Sequence, residues 1–257
     1  MKYGKAPIVE AILDIRVVPR SEASASELVS VFSGLSIPFT KREEIAAEQR
    51  IQISLGPNAL APQVGPVLGG FRYEYAEQSQ VVQVQREGFV FSLLPPYNEW
   101  EDFVAHAQVF WERYRDVWQP QKITRVALRY VNQFNFPLVP ENFNYGAYFT
   151  IMPGNFRNGQ MPLQQVLDAF SLQLMLPQTD IEGMAILSFG SLPRSSEDTL
   201  SVILDIDIFL EGLLMDPNNE ALLWESLGKL RQRKNDLFRA SITDICEASL
   251  EPTAEKS

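Results

Sequence analysis

An α+β fold is predicted for this chain. Two similar halves each run as an opening strand, an insert, an antiparallel three-strand meander and a long helix. Together they form one curved antiparallel sheet with the helices packed on one face. Three observations predict it. Strand-like segments cluster over 71–96 and again over 169–212, with short polar links that suit hairpins. Each cluster is followed by a long helical pattern, 98–119 and 218–238. Each is preceded by a long strand, 8–18 and 122–137, and an insert rich in Pro with Gly or Asn. No residue-level repeat accompanies this recurrence of pattern.

In the opening strand, Val9, Ala11, Leu13, Ile15 and Val17 point one way, and Ile8, Glu10, Ile12, Asp14 and Arg16 the other. A short amphipathic helix is expected within 19–35, with Ser21 near its cap, Leu28, Val31 and Leu35 near helical spacing, and Gly34 at its close. "QRIQISLG" reads as the next strand and 56–70 as an irregular insert. "FRYEYAEQ", "QVVQVQRE" and "FVFSLLPP" form the first meander. Over 98–119, Trp100, Phe103, Val104, Ala107, Phe110, Trp111, Tyr114 and Trp118 recur every three or four residues, the face that docks on a sheet.

The second half opens with "KITRVALRYVNQFNFP". An irregular stretch over 137–165 leads to the strands "AFSLQLMLPQ", "GMAILSFGSL" and "TLSVILDIDIFLEG". The closing helix has Asn219 as its cap and basic residues in its last turns, which suit the helix dipole. No linker separates the halves, so 1–119 and 120–250 are expected to form one compact unit, with 251–257 as a frayed tail.

Composition narrows the chemistry. With 257 residues, 46% of them hydrophobic, the chain is long enough for a sizeable core. A net charge of −10 disfavours nucleic acid as a partner. One run, "KLRQRKNDLFR", does gather Lys229, Arg231, Arg233, Lys234 and Arg239 on the last helix, where they read as a solvated face. The single cysteine, Cys246, cannot form an internal disulfide and reads as a small buried hydrophobe. The opening residues do not read as a secretory leader, and no apolar run approaches the ~20 residues of a membrane helix. The expectation is a cytoplasmic protein with no membrane association. A Gly-rich phosphate loop with its lysine is absent from the sequence, and "GGF" at 69–71 is too short to serve as one. His106 is the only histidine, which removes multi-His zinc sites, and it reads as structural. No cofactor is expected.

Carboxylates are the remaining chemistry. Asp205 and Asp207 share a strand face with Glu211 further along it. Such a pair suits a divalent cation or acid–base work, but the simpler reading is the solvated side of a sheet whose other face carries Leu200, Val202, Leu204, Ile206, Ile208 and Leu210. Glu10 is a carboxylate inside an apolar strand and needs a partner. Arg125, Arg129 and Gln133 share a face of the second opening strand. The expected partner of Glu10 is therefore Arg129, then Arg125, in an ion pair that keeps the halves in register. The alternative is an acid facing a substrate in a cavity.

"KAPIVEAILDIRV", "RVALRYVNQFNFP" and "LFRASITDICEASLEP" resemble a sporadically distributed bacterial family of unknown function and similar length. The resemblance spans nearly the whole chain, leaving out the inserts at 56–70 and 137–165. Pro7, Glu10, Arg129 and Asn132 fall on its motif positions, which implies a shared structural or site role for them. The family's patchy distribution implies mobile, defence-like or accessory genes, and it supplies no activity. With no catalytic constellation in the sequence, a non-catalytic binding or accessory protein is expected, with a protein partner or a second copy of itself. The alternative is a grip-like domain that binds or transforms a small molecule in a cavity of ~300 Å³ or more between the sheet and helix 98–119.

Overall fold

The computed structural model describes residues 2–34, 38–46, 68–97, 99–137, 143–151, 169–193 and 199–253. The expected strand "QRIQISLG" and most of both inserts lie outside them. The strands are β1 (Lys2–Tyr3), β2 (Ile8–Val18), β3 (Lys41–Ala46), β4 (Leu68–Tyr75), β5 (Gln80–Gln85), β6 (Gly88–Leu93), β7 (Lys122–Pro137), β8 (Ser171–Gln178), β9 (Gly183–Ser191), β10 (Thr199–Met215) and β11 (Pro252–Thr253). The helices are α1 (Trp100–Trp118), α2 (Glu220–Ser241) and α3 (Asp244–Ser249). The protein is α+β.

Nine strands make one open antiparallel sheet in the order β3-β4-β5-β6-β2-β7-β10-β9-β8. The pattern recurrence is real in three dimensions. In each half the last strand of the meander returns to pair with the opening strand, β6 with β2 and β10 with β7, and a long helix follows. The two opening strands pair with each other at the centre. Even the first meander turns match: Ala76–Gln78 and Thr179–Ile181 are both single 3-10 turns, closed by Ser79 at φ 53° and Glu182 at φ 54°.

Hydrophobic alternation sorts the two faces. Ala11, Leu13, Ile15 and Val17 of β2 and Val126, Leu128 and Tyr130 of β7 are buried towards the helices. The aromatic stripe of α1 docks there as expected. Trp111 packs edge-on to Phe89, and Phe103 and Phe110 pack on Phe91. Among the described residues, these ring contacts fill the space between the body of α1 and the sheet. Gly70 of the "GGF" run serves the sheet, since a Cβ there would meet the Val84 carbonyl oxygen at 2.2 Å.

Local structure adds to the sequence reading in three places. The short helix before β3 is a 3-10 segment, Ala25–Ser30, capped by Ser24 rather than Ser21, with Glu27 accepting from the Ser24 N–H at 2.9 Å. β3, "KREEIA", is an edge strand whose charges hide its periodicity. The tail is tied down through Thr253, because β11 pairs with β1. Cys246 is fully buried in α3, and burial pushes its thiol up to about 12, which leaves it unreactive.

Two fully buried tryptophans in α1 differ in one respect. Trp118 Nε1 donates to the Arg86 carbonyl at 3.0 Å, whereas Trp111 Nε1 has no acceptor among the described residues. Trp118→Phe is therefore expected to destabilise by about 1–2 kcal/mol more than Trp111→Phe, because it strands a carbonyl while the other removes an orphan donor. Urea unfolding of both variants checks the order.

Candidate functional site

The residues singled out in the sequence divide between the two faces of the sheet. Asp14, Arg125, Arg129, Asp205 and Asp207 stand on the face away from the helices, at the centre. Arg125 reaches across three strands: Nη1 donates to Asp14 Oδ1 at 3.3 Å and Nη2 to Asp207 Oδ2 at 3.2 Å, with the guanidinium 4.3 Å from the Phe209 ring. Arg129 holds Asp205 bidentately, Nε to Oδ1 at 2.9 Å and Nη2 to Oδ2 at 2.6 Å. Burial raises the pKa of Asp207 from its ordinary value, against the pull of Arg125 and Arg129. The two aspartates thus serve as counterions for the arginines.

The expected Glu10–Arg129 ion pair does not form. Glu10 and Asp205 both lie opposite Val131, one on each side of β7, so both are diagonal neighbours of Arg129. The register shift between Ile8 and Glu10 interrupts the ladder on the Glu10 side, and Asp205 takes the guanidinium. Glu10 contributes only a longer-range attraction to Arg129. Across the β2–β7 seam, Asp14 of one half pairs with Arg125 of the other.

The helix side holds the cavity. α1 and α2 lie antiparallel, tied by Arg115–Glu220 at one end and by Arg231 Nη1 to Glu101 Oε1 at 3.5 Å at the other. α2 then runs on past the start of α1 by ten residues, 232–241, or about 15 Å of helix. There its neighbour is a cleft of about 1220 Å³, instead of a second helix. The floor is Tyr130 and Asn132 of β7. The walls are Arg231, Lys234, Phe238 and Arg239 of α2, Tyr97 and Trp100 at the start of α1, and Tyr3, Pro7 and Ile8 from the N-terminal segment. The cleft thus lies at the tip of helix 98–119. Two residues from the resemblance, Pro7 and Asn132, line it. Asn132 is almost fully buried, and its Nδ2 donates to the Leu204 carbonyl at 3.0 Å and the Tyr130 carbonyl at 3.3 Å.

Lys234 is the unusual group in this cleft. Its Nζ lies 3.8 Å from the centroid of the Tyr130 ring. Among the described residues neither Lys234 nor Arg239 forms an ion pair. Desolvation, helped by the nearby charges of Arg231 and Arg239, pulls the lysine down to about 7. Its other ionisable neighbours around the cleft are Glu99 and Glu101 at the start of α1, Tyr3 on β1, and Tyr97 with Tyr130. Glu101 already accepts from Arg231. The Tyr97 and Tyr130 hydroxyls are 2.8 Å apart, and burial pushes Tyr97 up to about 12 and raises Tyr130 well above its ordinary value. Both stay neutral near pH 7, and one donates to the other. The second proton of the pair has no acceptor among the described residues, so the pair offers a spare donor.

The sequence contained a signal for this lysine. Leu223, Leu227, Leu230, Phe238 and Ser241 form the buried stripe of α2 at steps of three, four or eight residues. Lys234 falls midway between Leu230 and Phe238, on the same stripe. Its neighbours in the basic run take other faces: Lys229 pairs with Glu225 at 2.8 Å and Arg233 with Asp180. The run is therefore not one solvated face.

The sequence matches no protein-family model. It also matches no curated protein.

The lysine carries a pH signature. Its folded pKa, about 7, lies below the ordinary value of 10.5, so between these pH values the unfolded chain holds the extra proton. This group therefore makes the protein more stable as pH rises through that window, and its penalty is present in full below it. Lys234→Met is expected to raise the melting temperature near pH 6, with the gain vanishing by about pH 10. Thermal unfolding of both proteins at the two pH values measures this.

Proposed function

We propose that the protein binds a small anionic molecule with a flat apolar part in the cleft between α2 and the start of α1. The observation that carries this reading is Lys234, held without a counterion over the Tyr130 ring and facing a cavity of ligand size. Arg231 and Arg239 add positive charge, Trp100, Tyr97 and Phe238 supply aromatic walls, and the tyrosine pair supplies a neutral donor. An incoming anion completes the ion pair that the described residues leave open, and it stabilises the ammonium form of Lys234. Binding is thus coupled to proton uptake above about pH 7. The sequence expectation of a binding protein rather than a catalyst is kept, and its occupant becomes a small molecule.

Naphthalene-2-sulfonate tests this, because its charge is constant across the range. Calorimetric titration is expected to show one site, at least about tenfold tighter near pH 6 than near pH 9, since Lys234 is charged only at the lower pH. Lys234→Met is expected to weaken binding near pH 6 by about tenfold and to remove the pH dependence. Binding of equal strength in the variant, or no binding at millimolar concentration, overturns the proposal.

A further inference from the structure

We propose that Lys234 captures a carbonyl-bearing anion as a reversible imine. This rests on the binding reading above and adds the class of ligand: an aldehyde or ketone that also carries a carboxylate or phosphate. Three features of the cleft support it. Lys234 Nζ sits against the Tyr130 ring, with no carboxylate among the described residues to hold it as an ammonium ion. The hydroxyl on that same ring is joined to Tyr97 Oη at 2.8 Å, a neutral pair with a proton to give. Arg231 and Arg239 lie one turn or so to either side on α2, where they can hold the anionic end.

The chemistry balances without a co-reactant. The Lys234 amine adds to the carbonyl carbon, and a proton moves from nitrogen to the former carbonyl oxygen, giving a carbinolamine. The tyrosine pair protonates the departing hydroxyl, the C–O bond breaks, and the second nitrogen proton returns to the tyrosine pair as the C=N bond forms. One water is released and no oxidation occurs. Only the neutral amine attacks. An ordinary lysine is neutral to about one part in three thousand at pH 7, whereas Lys234, pulled to about 7, is neutral about half the time.

The test uses 4-carboxybenzaldehyde with cyanoborohydride near pH 7, followed by peptide mass spectrometry of the full chain. Lys229, exposed on the same helix one turn earlier, is the internal reference. The expected result is a reduced adduct on Lys234 formed at least about tenfold faster than on Lys229, and lost from Lys234→Met while labelling of Lys229 persists. Labelling of Lys234 no faster than of Lys229 overturns imine capture. If naphthalene-2-sulfonate still binds in that case, the binding reading stands alone. If it does not, both fall.

Discussion

The antiparallel pairing of β2 with β7 is the constraint on which the rest of the structure depends. It joins two halves of like topology through their opening strands, so the meander strands and long helix of one half are related to those of the other by an approximate two-fold turn about the seam. That relation sends both long helices to the same face and sets them antiparallel. It also fixes where they cannot both reach. α1 covers the strands of its own half and α2 those of the other, and α2 overshoots the start of α1. The cleft opens at that overshoot, over the part of β7 nearest Ile8. The candidate site thus follows from the way the two halves meet.

The two faces of the seam manage charge in opposite ways. On the face away from the helices, every arginine at the centre has a carboxylate within reach, and the ladder Asp14–Arg125–Asp207 crosses three strands. The paired charges there tie neighbouring strands together. On the helix face, the buried stripe of α2 carries a lysine with no such partner among the described residues. An unpaired cation under desolvation is costly, and folded proteins tolerate it chiefly where it is used.

Most of the architecture was legible in the sequence because period-2 and period-3.6 patterns survive wherever one face is buried. That holds for β2, β7, β10 and α1, whose alternations follow their burial along most of each element. β3 was not legible, since an edge strand protected by Lys41, Arg42, Glu43 and Glu44 has no apolar face to read. The partner of Glu10 was not legible either. Strand order follows from pattern, but the choice between two diagonal carboxylates depends on a local register shift that leaves no mark on composition. Pro7 and Asn132 drew notice without a reason being visible, and the fold supplies one by setting both at the cleft. Lys234 was readable in principle as a charge on an apolar stripe. What concealed it was its place in a basic run, which reads as solvated unless the helix is turned residue by residue.

The account's central claim is that the fold keeps Lys234 desolvated and without a counterion. Carbon-13 NMR of the lysine side chains, with the Lys234 Cε resonance assigned by its absence in Lys234→Arg, measures this directly. The account predicts a titration midpoint at about 7. A midpoint near the ordinary lysine value of 10.5 would contradict it.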